Sequence, residues 1–126
     1  MGNEMEEREV ESFANDVMRI FLGRGHPESE LLREQYLNAQ KDITVTGAGF
    51  FVDFKVPDHI KGVPGSPDFR IGNLEANMDG LEHGMLLILF IRNGTLSLLE
   101  GATYEETLPK DLANVSFSDT GGDEEW

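Results

Sequence analysis

One stretch of the sequence limits the possible folds more than any other. It is a run of seven consecutive apolar residues, Met85–Ile91, followed by Arg92-Asn93-Gly94 and a second apolar-rich run that ends at Gly101. Asn-Gly strongly favours the positive φ angles of a type I′ turn between antiparallel strands. A strand that is apolar at every position is typical of one covered on both faces. The stretch therefore predicts a central β-hairpin whose first strand is buried on both sides.

Two helices are predicted before this hairpin. The first covers about residues 4–22, where apolar side chains recur at helical spacing and Gly23 provides a stop. Its apolar side consists of Val10, Phe13, Ala14, Val17, Met18 and Phe21. The second helix is expected to begin at His26-Pro27 and to end near Gln40, because proline is favoured in the first helical turn.

After Lys41 the apolar residues follow a period of two, which indicates strands. A break at residues 47–49 predicts a hairpin or a strongly bent pair of strands, and a one-residue phase slip at Gly72-Asn73 predicts a β-bulge. Val115 and Phe117 predict a last edge strand. We therefore expect an α+β fold, with two N-terminal helices packed on one face of a mostly antiparallel sheet of four to six strands. Residues 1–117 are predicted to form a single domain and residues 118–126 an acidic disordered tail.

Composition narrows the classes of function. The formal net charge is −14, and the sequence contains no cysteine. A strongly acidic protein repels nucleic acid and anionic membranes, whereas it associates rapidly with a basic protein. We expect a basic protein partner, no nucleic-acid partner and no membrane partner. The sequence leaves the oligomeric state open, a homodimer included. The missing cysteines and the lack of a signal peptide favour a cytoplasmic location.

The residue types that carry most enzyme chemistry lack the necessary spacing. The three histidines, His26, His59 and His83, do not form a metal-binding pattern, and no serine stands in a Gly-x-Ser-x-Gly motif. We expect no metal and no cofactor. A protein that is not an enzyme is favoured, although the sequence does not decide this question.

Carboxylates are the remaining candidates. Asp53 and Glu75 fall on strand positions opposite the apolar set, and Glu82 lies in the turn before the central hairpin. Glu100 directly follows a core strand, where a carboxylate needs a hydrogen-bond partner. We expect Glu100 to accept hydrogen bonds that fix the following turn, in preference to a catalytic role.

Three segments together resemble those of small uncharacterised bacterial proteins. They are Gly49-Phe50-Phe51-Val52-Asp53-Phe54, the turn Gly80-Leu81-Glu82-His83-Gly84, and Leu99-Glu100-Gly101-Ala102-Thr103-Tyr104 with its continuation to Pro109. The resemblance covers roughly residues 47–109 and implies a shared fold but no known activity. Small acidic proteins of this build are also similar in type to the immunity proteins of bacterial toxin systems.

Two functional hypotheses follow. The first is a non-catalytic acidic interaction module, such as an immunity-type inhibitor that binds a basic protein. The alternative is a small-molecule-binding protein or enzyme, whose pocket would lie between the sheet and the helices near Phe51, Glu100 and Tyr104. The candidate ligand- or partner-binding residues are Phe51, Asp53, Glu75, Glu82, Glu100 and Tyr104.

Overall fold

The structure is a computed structural model that describes residues 6–25, 27–65 and 67–119. The elements, in chain order, are α1 (Glu7–Leu22), α2 (Ser29–Asn38), β1 (Gln40–Val45), β2 (Gly49–Lys55), β3 (Phe69–Asn77), β4 (Met85–Arg92), β5 (Thr95–Thr103) and β6 (Ser116–Asp119). The strands form one sheet in the order β1-β2-β5-β4-β3-β6, and every neighbouring pair is antiparallel. The predicted α+β fold is confirmed.

The central hairpin has the predicted turn. Asn93 and Gly94 adopt φ angles of 54° and 76°, the signs that a type I′ turn requires, and β4 pairs with β5. On one side of β4, the residues Met85, Leu87, Leu89 and Ile91 are fully buried in the core. On its other side the side chains are only half-buried. The expectation that β4 is buried on both faces is therefore wrong, because no helix or strand of the described residues covers the second face.

The local strand signals are confirmed, and several boundaries change. The pairing of β3 with β4 shifts register between Ile71 and Leu74, where the bulge was predicted. Helix α2 begins at Ser29, because Pro27 and Glu28 form a turn before it, and it ends at Asn38; His26 lies outside the described residues. Strand β6 includes residues 118 and 119, which the sequence assigned to the tail. The rest of the predicted tail, residues 120–126, lies outside the described part of the chain.

The core lies between α1 and the inner face of the sheet. The Phe13 ring packs edge-on against Phe50 at 5.9 Å and stacks on Phe117 at 5.7 Å, so α1 contacts both β2 and the edge strand β6. Gly101 on β5 makes room for Phe50, since a Cβ atom at Gly101 would lie 2.4 Å from the Phe50 ring. Phe50 therefore takes the inner position on β2, and its neighbour Phe51 must point to the other side.

Neither described helix has the length and apolar character needed to cross a membrane. Helix α1 is amphipathic, with Val10, Val17, Met18 and Phe21 fully buried and its acidic residues at the surface. A helix of this kind packs its apolar side on a core and leaves its polar side exposed.

Candidate functional site

The side of the sheet that faces away from the helices is the candidate site, and we call it the open face. The strand register fixes which residues share it, because side chains at directly opposite positions point to the same side. Leu98 on β5 lies opposite Asp53 on one side and Phe90 on the other, and Phe90 lies opposite Arg70. In the next row, Glu100 lies between Phe51 and Ile88.

Large apolar side chains occupy the middle of the open face. The members of this apolar stripe are Phe51, Leu86, Ile88, Phe90 and Leu98, and all are half-buried. An antiparallel sheet with one solvated face normally carries polar residues there. Adjacent apolar residues on an uncovered face are typical of an interaction surface instead.

Carboxylates lie beside and within the apolar stripe. Asp42 on β1 is directly opposite Asp53 on β2, and both side chains are exposed. Like charges at directly opposite positions oppose strand pairing, so this pair costs some stability in the free protein. Glu100 is a diagonal neighbour of Asp53 across β2 and β5. None of these three carboxylates forms an ion pair with a described residue.

A second polar contact lies at the other side of the stripe. The Tyr104 hydroxyl donates a hydrogen bond to Glu75 Oε2 at 3.1 Å, and Glu75 is directly opposite Leu86. Burial raises the pKa of Tyr104, and the hydrogen bond to Glu75 and its negative charge add to the increase. Tyr104 is 42 % exposed, so its ring extends the stripe at the surface.

Two depressions adjoin the open face. A depression of about 160 Å³ lies beside the β3 bulge, between Leu86, Ile88 and Arg70. A larger one, of about 680 Å³, lies where β1 pairs with β2 and contains Asp42, Asp53 and Lys55. Neither contains Phe51, Glu100 or Tyr104.

Five of the six candidate residues belong to this face. Phe51, Asp53, Glu75 and Glu100 point outward from it, and Tyr104 is bonded to Glu75. The predicted pocket between the sheet and the helices is wrong for these residues, because Phe50 takes the inner position next to Phe51. Asp53 and Glu75 are not a carboxylate pair, since two strands separate β2 from β3 and the strand spacing alone gives about 14 Å.

The turn before β4 is held by a carboxylate that the sequence analysis did not single out. The carboxylate of Glu106 accepts the backbone N–H groups of Glu82 and His83, each at 2.8 Å. These two bonds lower the pKa of Glu106. Among the described residues, the Glu100 side chain has no hydrogen-bond partner, so the expectation that Glu100 fixes a turn is wrong. Glu82 contributes only its backbone to this contact.

Metal-binding groups do not converge in the described residues. Within residues 6–25, 27–65 and 67–119, no three histidine, aspartate or glutamate side chains are placed to hold a metal ion. His59 and His83 are both exposed and lie in different loops.

Comparison with known proteins finds no matching family model, no matching curated protein and no matching solved structure. The resemblance to small bacterial proteins therefore stays a prediction, and the open face is the basis of the proposed function.

Proposed function

We propose that this chain is a non-catalytic protein-binding module that contacts its partner through the open face of the sheet. The observation that carries the proposal is the apolar stripe, where five large side chains lie side by side with only partial cover. A partner that covers the stripe removes this apolar surface from water, which favours association.

Charge supports a partner that presents cations beside its own apolar side chains. Asp42 and Asp53 lie beside the stripe, Glu100 lies within it, and none of the three forms an ion pair with a described residue. An arginine of the partner could bond two of these oxygens at once, and this would relieve the repulsion between Asp42 and Asp53. The net charge of −14 would attract such a partner over longer distances. This is the surface that an immunity-type inhibitor of a basic protein needs, and we place its action in the cytoplasm.

The geometry gives less support to the alternative, a small-molecule pocket near Phe51, Glu100 and Tyr104. Small-molecule sites are usually clefts of roughly 300–1,000 Å³ that enclose most of the ligand. The depression beside Ile88 has about 160 Å³, and the larger one, of about 680 Å³, contains none of these three residues. Phe51, Glu100 and Tyr104 are therefore not enclosed by a cleft, and an apolar surface with charged neighbours fits a protein partner better.

The test compares capture by three immobilised proteins: wild type, Ile88→Lys and Ser12→Lys. The lysine introduced by Ile88→Lys lies in the centre of the stripe, opposite Glu100, which limits the loss of stability. Ser12 is exposed on α1, on the other side of the molecule, so Ser12→Lys is a control with the same change in charge. We expect a basic protein from the native host to bind wild type and Ser12→Lys and to be lost with Ile88→Lys. Equal capture by all three would refute the assignment of the open face.

The captured protein is then purified, and its association rate is measured over a salt series. Exposed charges are screened beyond about 8 Å at physiological ionic strength, so the rate should fall as salt increases. Asp53→Asn should lower the rate at low salt and reduce its dependence on salt. A rate that salt does not change would contradict the proposed basic partner, as would tight binding of the purified protein to DNA.

A further inference from the structure

Strand β1 is an edge of the sheet, and β2 is its sole strand partner among the described residues. Its six residues pair with β2 in unbroken register and include no proline. Natural proteins usually protect an edge strand by a short length, a bulge, a proline or a charge. The other edge strand, β6, is only four residues long. The edge that can accept a further strand is therefore that of β1.

The turn between β1 and β2 shows which backbone groups of β1 point to the free edge. The Thr46 N–H donates to the Gly49 carbonyl oxygen at 2.8 Å, so these two residues form a hydrogen-bonded pair. Bonded and non-bonded pairs alternate along an antiparallel ladder. The β1 residues that bond to β2 are therefore Gln40, Asp42 and Thr44. The residues whose N–H and C=O groups point to the free edge, which we call the edge residues, are Lys41, Ile43 and Val45.

The hydrogen bonds on the other side of β2 support this assignment. The Thr103 N–H donates to the Ala48 carbonyl oxygen at 2.9 Å, so Phe50 and Val52 are the β2 residues that bond to β5. The alternate β2 residues are left to bond to β1. No side chain or loop in the described part of the chain bonds to the backbone of the edge residues. This edge therefore presents three unpaired donors and three unpaired acceptors.

A strand added at this edge would meet different surroundings on its two faces. Ile43 and Val45 are half-buried on the inner face, where they pack against the core. Lys41 lies on the same face, with Nζ 4.6 Å from the centre of the Tyr36 ring. On the open face, Asp42 is exposed and forms no ion pair with a described residue. The edge is thus complementary to a segment with apolar side chains on one face and cationic side chains on the other.

We propose that the basic partner adds an extended segment to β1 as a seventh strand, with a lysine or arginine opposite Asp42 and apolar side chains beside Ile43 and Val45. The inference rests on the proposed function, because it describes how the same partner is held at the margin of the open face. In antiparallel pairing, Asp42 would belong to a non-bonded pair, whose Cα atoms are about 4.5 Å apart and whose side chains are close. A cation there offsets the repulsion between Asp42 and Asp53. A second copy of the chain fits this edge less well, because each copy has a net charge of −14.

The test uses a short synthetic peptide, capped at both ends, in which valine alternates with lysine. Amide hydrogen exchange of the full chain is followed by NMR with and without the peptide. In the free protein, we expect the edge residues to exchange faster than Asp42 and Thr44, whose amides bond to β2. The peptide should slow exchange at the edge residues and change the other two little. A peptide that is N-methylated at its valines has the same charge but lacks the N–H groups that would bond to β1, and it should give no protection.

Two variants of Ile43 separate the backbone from the side chain. Ile43→Pro removes an N–H from the free edge but no bond to β2, and proline is tolerated in edge strands. Ile43→Ala is the matched control, because it shortens the side chain and keeps that N–H. Ile43→Pro should bind the peptide about tenfold more weakly than Ile43→Ala, since a peptide carbonyl then has no donor. Asp42→Asn should weaken binding about twofold to fivefold, the usual effect of an opposite-charge pair across two strands.

Several results would overturn the proposal. No protection by the unmodified peptide, or equal protection by the N-methylated one, would show that β1 does not accept a strand. Edge residues that are protected in the free protein and exchange faster on dilution would show a second copy at this edge. Protection in the free protein that dilution does not change would show that the chain itself covers the edge. The proposed function fails by a different measurement, equal capture by wild type and Ile88→Lys, so the two failures are distinguishable.

Discussion

Gln35 offers the sharpest test of how the helices are attached to the sheet. Its side chain is fully buried, and it makes three hydrogen bonds. Nε2 donates to the carbonyl oxygens of Lys61 at 3.2 Å and Gly94 at 3.0 Å, and Oε1 accepts the N–H of Leu96 at 2.8 Å. One amide therefore joins α2 to the central hairpin and to the loop before β3.

The substitution Gln35→Leu removes all three bonds with little change in volume. The Gly94 carbonyl keeps a bond from the Val63 N–H at 2.8 Å, and Lys61 is exposed, so its carbonyl can find water. The buried N–H of Leu96 then has no acceptor from Gln35. The unsatisfied buried N–H costs about 1–3 kcal/mol, and the lost bond to the Gly94 carbonyl adds about 0.5–1.5 kcal/mol, so we expect a loss of about 1.5–4.5 kcal/mol in the free energy of unfolding.

Gln35→Glu tests the direction of each bond. A carboxylate still accepts from Leu96, but it faces two carbonyl oxygens and is buried, so its pKa in the folded state should be raised. The stability deficit relative to wild type should be largest at neutral pH and should shrink as the pH falls through that raised pKa. Urea unfolding of the three proteins at pH 7 and pH 5 measures both effects. A free energy of unfolding for Gln35→Leu within about 0.5 kcal/mol of wild type would refute the reasoning, because that is the range of neutral surface changes.

Three further predictions follow from other contacts. Gly101→Ala should destabilise the protein by about 1–3 kcal/mol in urea unfolding, because its Cβ would lie 2.4 Å from the Phe50 ring, and adding Phe50→Leu should cost less than the two single changes together. An NMR titration should show the pKa of Glu106 below its ordinary value, and stability should decline as the pH falls through that lowered pKa; Glu106→Gln should remove this part of the pH dependence. Deleting residues 118–126 should lower the melting temperature more than deleting 120–126, because only the longer deletion removes part of β6 and the bond from Arg24 to Asp119; equal melting temperatures would contradict this.

Local signals explain which parts of the fold could be predicted. The turn at Asn93-Gly94 and the bulge at Gly72-Asn73 are encoded in adjacent residues, and both are confirmed. The seven-residue apolar run was interpreted as a strand buried on both faces, because a sequence does not contain the layer that would cover the second face. Three residues of this run, Leu86, Ile88 and Phe90, belong to the apolar stripe and were therefore not predicted at a surface.

The missed contacts are those between distant parts of the chain. Glu106 binds a turn 23 and 24 residues earlier, and Gln35 bonds a strand 61 residues later. Nothing adjacent to either residue distinguishes it from other polar residues. Glu100 had the stronger local signal, directly after an apolar strand, yet its side chain points to the open face. The different roles of Glu106, Gln35 and Glu100 are visible only in the three-dimensional structure.

The contact between the first helix and the last strand has a consequence for how the protein folds. Phe13 stacks on Phe117, and Arg24 bonds the carbonyls of Gly72 and Asn73 as well as Asp119. The core around α1 thus requires residues from both ends of the described chain. During synthesis, α1 leaves the ribosome long before β6 exists, so the apolar side of α1 lacks its contact with β6 until then. Contacts of such long sequence separation also slow folding. We therefore expect folding to finish only after residues 116–119 have been made, with a chaperone or a transient non-native contact covering Phe13 until then.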